Sequence, residues 1–179
     1  MDGMTEIRVR LATVDDAEAI TRIYNEGIVE RIATFETGLR TTDQIASQIR
    51  DKGTRFPTVV VERTGAVIAW ASVAPYHSRA CYAGIVEHSV YVARAARGNG
   101  AGRLALDALI RACEERGFWK LTSRIFPENT ASLALHERLG FRRVGTYMRH
   151  GKVDGVWRDC VIVEKLIGEA AMEPSGSCA

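Results

Sequence analysis

Apolar and polar residues follow two different periods along this chain, and the alternation of these periods predicts a mixed α/β fold. Residues 7–11 alternate apolar and basic side chains, which is the period of a strand. From residue 17 to residue 28, apolar side chains recur at helical spacing. Thr13 can cap this helix, and the acidic Asp15 and Asp16 suit its first turn.

The same reasoning assigns the rest of the chain. The further predicted elements are a helix from Thr42 to about 52, strands at 58–62 and 66–74 joined by a turn at Thr64-Gly65, a strand at 86–92, a helix at about 100–116, a strand at 119–126, a helix capped by Asn129 or Thr130 and ending near 139, and strands at 141–148 and 157–165. This order predicts one mixed, mostly antiparallel sheet with helices on both faces. We expect a single domain at residues 1–168, followed by a flexible tail at residues 169–179.

Composition narrows the class of protein. The chain has 179 residues, of which 46% are hydrophobic and 26% charged, with a net charge of +2. Scattered basic residues and a near-neutral balance argue against a nucleic-acid or membrane surface. The four cysteines lack the spacing of a zinc site or a disulfide framework, so we expect no metal. The N-terminus lacks the apolar core of a signal peptide, and no apolar run approaches the ~20 residues of a membrane helix. The expected location is the cytoplasm.

A glycine-rich loop after the strand at 86–92 is the strongest candidate for ligand binding. It reads Arg97-x-x-Gly100-x-Gly102 and leads directly into a helix. Bare backbone in such a loop, together with the free N–H groups of a helix start, suits an anion. No Lys-Ser/Thr follows, which excludes the phosphate loop of nucleotide hydrolases, and Arg103 stands where a dinucleotide fingerprint needs its third glycine.

This loop resembles the coenzyme A pyrophosphate loop of the GNAT superfamily of N-acetyltransferases. The element order over residues 7–166 is likewise similar to the GNAT acyl-CoA N-acyltransferase fold. The resemblance implies acetyl-CoA as co-substrate, with strand backbone pairing to its pantetheine arm and the loop holding its pyrophosphate. The coenzyme residues implied are Val90, Tyr91, Val92, Arg97, Gly98, Asn99, Gly100, Ala101, Gly102, Arg103, Asn129 and Ser132. Asn129 could equally be a plain helix cap, and Arg103 an ordinary exposed arginine.

Glu87 is the first candidate catalyst. Transfer of an acetyl group from a thioester to an amine requires that the amine lose a proton, because an ammonium has no lone pair. A carboxylate buried in an apolar strand becomes a better base near neutral pH. Glu87 is equally consistent with two other roles, a solvated residue on an edge strand or a partner in a structural salt bridge. The segment at 86–92 resembles a strand of phosphinothricin and methionine sulfoximine N-acetyltransferases, in which the matching glutamate deprotonates the substrate.

His136 is the second candidate catalyst. A lone helical histidine is more often a surface or core residue, but the segment from Asn129 to Phe141 resembles the GNAT signature after the coenzyme loop. Many members have tyrosine at this position, whereas the phosphinothricin subgroup has histidine. The implied role of His136 is proton donation to the leaving thiolate or a relay to Glu87, and the sequence does not choose between them.

Substrate contacts are expected from the connecting segments. An amino-acid carboxylate needs a cation, and Arg79 matches a basic residue of the phosphinothricin enzymes. The same resemblance adds the following substrate-binding candidates: Phe35, His77, Tyr82, Glu87 and His88. Each could also be an ordinary loop or strand residue. Trp157 and Asp159 match the C-terminal strands of this subgroup, where core packing and a dimer contact are the expected roles, and a homodimer is expected.

The resemblance thus implies an enzyme that acetylates the α-amino group of a small toxic amino acid, of the phosphinothricin, methionine sulfoximine or arsinothricin type, and so confers resistance. The alternatives are an N-acetyltransferase for a protein N-terminus or a polyamine, and a coenzyme A-binding sensor without catalysis. Acidic residues would be expected in place of His77 and Arg79 in a polyamine site.

Overall fold

Seven strands and five helices make up the structure, a computed structural model that describes residues 6–172. The strands are β1 Ile7–Leu11, β2 Thr58–Arg63, β3 Ala66–Pro75, β4 Ile85–Val92, β5 Lys120–Ile125, β6 Arg142–Val153 and β7 Val156–Leu166. The helices are α1 Ala17–Glu30, α2 Thr42–Lys52, α3 Ala101–Glu114, α4 Thr130–Arg138 and α5 Glu169–Met172. The short helix α5 lies where we expected a flexible tail, and residues 173–179 of that tail lie outside the described residues. The single-domain boundary at residue 168 stays a prediction.

All seven strands form one sheet, in the order β1-β2-β3-β4-β5-β7-β6. The pairing of β4 with β5 is parallel, and the other five pairings are antiparallel. Thr64 and Gly65 both have positive φ, as a tight β2–β3 hairpin turn requires. The predicted mixed, mostly antiparallel sheet is therefore confirmed.

Helices cover both faces of this sheet, as predicted. Helix α3 packs Ala105, Leu106 and Leu109 into one cluster with alternate residues of β2 and β3, and Leu133 of α4 joins it. Helices α1 and α2 pack on the opposite face, where Trp70 lies. Because successive strand residues point to opposite faces, the two cores share the same strands.

The start of α1 corrects the prediction that Thr13 caps it. Thr13 precedes a short 3-10 turn, Val14–Asp16, and α1 begins after it at Ala17, with Asp16 at its N-cap position.

The starts of α2 and α4 follow local capping chemistry, with one correction. The hydroxyl of Thr41, rather than Thr42, caps α2 by accepting a hydrogen bond from the Gln44 N–H at 3.3 Å. Asn129 caps α4, because its Oδ1 accepts from the Ser132 N–H at 3.2 Å.

The C-terminal hairpin differs most from the prediction. Strand β6 continues past Gly151 to Val153, and the turn falls at Asp154 and Gly155. This hairpin forms the sheet edge, so Trp157 is 54% exposed and not packed in the core as expected. Asp159 accepts a hydrogen bond from the Arg149 N–H at 2.6 Å.

Residues 6–172 contain neither a candidate membrane helix nor a candidate metal site. Within that span, no helix combines the length and the apolar character needed to cross a bilayer. The same residues contain no group of three or more histidine, cysteine or acidic side chains placed to hold a metal ion.

Candidate active site

The strands β4 and β5 part in the middle of the sheet. Their pairing runs from Ile85 opposite Lys120 to Glu87 opposite Thr122, and it stops there. Beyond this point a pocket separates the two strands, and we call it the central pocket. It is lined by Ala33, Ser89, Val90, Tyr91, Ser123, Arg124, Ile125, Phe126, Asn129, Ser132 and His136. Strand backbone that faces such a gap is free to pair with an extended ligand.

The glycine loop lies at the end of β4 and leads into α3. Gly98 and Gly100 have φ of +78° and +80°, a backbone conformation that side chains disfavour. At the helix start, the N–H groups of Ala101, Gly102 and Arg103 have no acceptor within the helix, because the first turn of any helix lacks one. Arg103 is exposed there. The loop therefore has the geometry of the anion site that the sequence predicted.

The Arg97 side chain connects this loop to α1 and to the end of β4. Its Nη1 donates to both carboxylate oxygens of Glu30, at 3.0 and 2.9 Å, and its Nε donates to the Val92 carbonyl at 3.2 Å. Arg94 also bonds Glu30, at 2.9 Å. The Arg97 side chain is thus engaged with the protein and supports the loop, and a contact of Arg97 with the coenzyme stays a prediction. The carbonyl of Val92, a residue whose backbone was expected to pair with the coenzyme, accepts the hydrogen bond from Nε of Arg97.

His136 is buried at the wall of the central pocket, with both ring nitrogens engaged. Its Nδ1 lies 2.7 Å from the Ser132 carbonyl oxygen, and its Nε2 lies 2.8 Å from Nε2 of His88. The hydroxyl of Ser132 is 3.4 Å from the same Nδ1. The two histidines are 1% and 2% exposed and pack against Phe141. His88 therefore belongs to the core face of β4, and the structure gives no support to the expected contact of His88 with substrate.

The partners of the histidine pair define its protons. A carbonyl oxygen only accepts, so His136 carries its hydrogen on Nδ1. In a neutral His136, Nε2 is then an acceptor, and His88 must donate from its own Nε2. This assignment leaves Nδ1 of His88 unprotonated, and the same atom is buried without a hydrogen-bond partner among the described residues. Burial lowers the pKa of His136 and lowers the pKa of His88 well below its ordinary value. Against the larger effect of burial, the Thr122 backbone acts to raise the pKa of His88.

Glu87 points to the opposite face of the sheet from His88, as alternation along a strand requires. Its side chain is 31% exposed, so the buried setting expected for it is not found. Arg124 of β5 binds it, with Nε and Nη2 lying 2.7 and 2.6 Å from Oε1. Glu87 and His136 have different partners, and no hydrogen bond of the described residues joins them directly.

The expected substrate residues divide into two groups. Phe35 packs edge-on against Phe126 of the central pocket, with ring centroids 4.8 Å apart. His77, Arg79 and Tyr82 instead line a second cavity of about 180 Å³ beside Arg55. In a single copy of the chain, the structure therefore brings Phe35 to the central pocket and leaves the other three at a different site.

Arg124 is the functional candidate that sequence reasoning missed. A charged residue inside an otherwise apolar strand was the signal that singled out Glu87. Arg124 is also a charged residue within a strand, but β5 is more polar than β4, so the signal is weaker there. The contact between the two could not be foreseen, because it depends on which strands are neighbours.

Comparison with known proteins agrees with this geometry. Residues 19–141 match the acetyltransferase (GNAT) family. An L-methionine sulfoximine/L-methionine sulfone acetyltransferase of Salmonella typhimurium is 32% identical over 91% of this chain and 96% of its own length. A phosphinothricin acetyltransferase of Sinorhizobium meliloti, solved in complex with acetyl-CoA, has a TM-score of 0.86 and 31% identity, covering 96% of this chain and 94% of its own. A ribosomal-protein-alanine N-acetyltransferase of Brucella melitensis has a TM-score of 0.86 and 34% identity, covering 89% of this chain and 99% of its own.

Proposed function

This chain belongs to the GNAT acetyltransferase family, and on that premise we propose that it transfers the acetyl group of acetyl-CoA to the α-amino group of a small amino acid. Phosphinothricin, methionine sulfoximine and arsinothricin are the proposed substrates, and acetylation would confer resistance by masking the amine. The observation that carries this proposal is the parting of β4 and β5 just beyond Glu87, next to the glycine loop.

We propose that the coenzyme enters along the parted strands. The pantetheine arm would pair with backbone groups of residues 89–91, and one N–H there would stabilise the oxyanion that forms on the thioester carbonyl. The pyrophosphate would lie on the loop from Gly98 to Arg103, at the start of α3. The side-chain oxygen of Asn129 is already engaged as a helix cap, which supports a structural role for that residue.

In the proposed reaction the substrate ammonium first gives a proton to Glu87. The free amine attacks the thioester carbonyl carbon and the C–S bond breaks. The thiolate takes up a proton, and the new amide nitrogen loses its second proton, which restores the proton donor. His136 or the neighbouring Ser132 hydroxyl would supply the thiolate's proton, because both line the central pocket. His136 must release one of its two present partners if it donates directly.

Direct attack is favoured over a covalent acyl-enzyme. Cys160 is the cysteine whose surroundings include Glu87 and Arg124, and burial raises the pKa of its thiol. Burial likewise raises the pKa of Cys113 to about 12. A thiol that stays protonated is a poor nucleophile, so neither residue suits a two-step transfer.

The test is thiol release from acetyl-CoA by wild type, Glu87→Gln and His136→Ala across a range of pH. The panel of amines would hold phosphinothricin, methionine sulfoximine, arsinothricin, common amino acids, a polyamine and an N-terminal peptide. Loss of a general base or acid should lower kcat about 10²- to 10⁴-fold. Glu115→Gln, an exposed glutamate of the same charge, is the matched control. Near wild-type turnover in both site variants would remove them from the mechanism.

A protein N-terminus is the second candidate substrate, because the Brucella melitensis neighbour is named for a ribosomal-protein alanine. Turnover of the peptide alone would keep the reaction and replace the substrate class.

A homodimer also stays a proposal. Exposed apolar side chains on the β6–β7 hairpin support it, since Tyr147, Met148, Val156 and Trp157 are all more than half exposed. Sedimentation equilibrium would measure the mass directly.

A further inference from the structure

We infer that Arg124 selects substrates that carry an anionic group beside the reacting amine. Arg124 would release Glu87 and bind the substrate's carboxylate in its place. The inference rests on the proposed function, because it assumes that the amine is presented to Glu87. It concerns the residue that recognises the acid group, a role that the sequence had led us to expect of Arg79.

The position of Arg124 is the first argument. Among the described residues that line the central pocket, Arg124 is the one with a permanent positive charge. His77 and Arg79, the basic residues expected to bind a carboxylate, line the second cavity. An amino acid bound beside His136 therefore meets the guanidinium of Arg124 within the same chain.

The contact between Arg124 and Glu87 is the second argument. Nε and Nη2 of Arg124 both approach Oε1 of Glu87, which leaves Oε2 outside the contact. A guanidinium has five N–H donors, so three remain for another acceptor. The two side chains are 47% and 31% exposed, which makes the pair accessible to a ligand.

The shape of an amino acid is the third argument. In an α-amino acid the nitrogen and the carboxylate carbon are both bonded to Cα, so they lie only about 2.5 Å apart by standard bond lengths. Such a zwitterion can place its ammonium on Glu87 and its carboxylate on Arg124 at the same time. The four charges then alternate in sign, and neither protein side chain is left without a partner. A polyamine would bring a second positive charge to Arg124 in place of the carboxylate.

The experiment compares L-methionine sulfone with its α-carboxamide, which has nearly the same size but no carboxylate charge. Steady-state KM and kcat are measured for wild type and Arg124→Gln. Wild type should favour the acid about 10- to 100-fold in KM, the range expected of a charged hydrogen-bonded contact. In Arg124→Gln the KM of the acid should rise by that factor, whereas the KM of the carboxamide should stay within about twofold.

Two further variants make the result specific. Arg124→Lys keeps the charge but loses the planar fork, so it should recover only part of the preference for the acid. Arg143→Gln removes the same charge from an exposed position on β6 and controls for long-range electrostatics. The dissociation constant for acetyl-CoA, measured by calorimetry, should be the same in all variants and shows that the fold is intact.

Three outcomes would overturn the inference. Equal losses on acid and carboxamide would show that Arg124 acts only through Glu87. Unchanged constants would remove Arg124 from recognition. Wild-type preference for the carboxamide, which imitates the first residue of a peptide, would overturn the inference and the proposed substrate class together. In the first two cases, turnover of the acid by wild type would still support the proposed function, so the two failures can be told apart.

Discussion

The buried pair of His88 and His136 makes the stability of this protein depend on pH in a defined window. Burial lowers the pKa of each side chain and so favours the neutral form of both in the folded protein. In the unfolded chain both titrate near pH 6.5. Folded pKa values below unfolded ones mean that stability is full above pH 6.5 and is lost as pH falls below it.

The magnitude follows from two protons. Each proton taken up only by the unfolded chain lowers the unfolding free energy by about 1.4 kcal/mol per pH unit. The two histidines together therefore give a slope of up to about 2.7 kcal/mol per pH unit. With both histidines neutral in the folded protein down to pH 5, the loss between pH 6.5 and 5 is about 3 kcal/mol. The carboxylates with lowered pKa, namely Asp16, Glu30, Glu36 and Glu164, have ordinary values of 4.5 or below, so they add little in this window.

Substitution of His88 by leucine should halve this slope. The variant should be less stable than wild type by about 1–3 kcal/mol at pH 7.5, because Nε2 of His136 loses its partner. At pH 5 the two proteins should be of nearly equal stability, since wild type has lost about 2 kcal/mol more. Urea unfolding at half-unit pH steps measures both quantities, and His77→Gln, at an exposed position, controls for the loss of a histidine. A wild-type slope of one proton or fewer, or a slope that the substitution leaves unchanged, would refute the neutral pair.

Two further predictions concern charged residues away from the histidine pair. Burial lowers the pKa of Lys52 to about 8, and its Nζ donates to the Ser72 hydroxyl. Relative to Lys52→Met, the unfolding free energy of wild type measured in urea titrations should therefore rise between pH 8 and 10.5, by up to about 3 kcal/mol. Glu30→Gln should loosen the loop that Arg94 and Arg97 hold, and so raise the KM for acetyl-CoA about 3- to 10-fold, while the KM for the amine stays constant in steady-state assays.

The element order could be predicted because each helix and strand carries its own period and stop signals. Thr64-Gly65 marked the first hairpin, and the glycines at 98–102 marked the start of α3. The exact cap of α2 was wrong by one residue, because two adjacent threonines offer the same hydroxyl. The exposure of Trp157 was missed because it depends on β7 lying next to the edge strand β6.

The site was predictable only where a residue's role is local. The glycines at the start of α3 are such a case, because their backbone conformation follows from the local sequence. The contact of Glu87 with Arg124 could not be predicted. Arg124 lies 37 residues away, on a strand whose position the local pattern does not specify. The burial of His88 could have been inferred from alternation, because Val86 points to the same buried face.

The parting of β4 and β5 has a consequence for self-association. Two strand edges with unpaired backbone groups are exposed inside the sheet, and such edges usually recruit strands from other molecules and promote aggregation. Here the two edges meet at one end of the gap, at Glu87 and Thr122, which are the last paired residues of β4 and β5. An incoming strand cannot continue past that closed end, so the cleft admits a short, narrow chain and blocks an extending sheet. The geometry that leaves the strands open to a ligand thereby also protects the protein from polymerising through them.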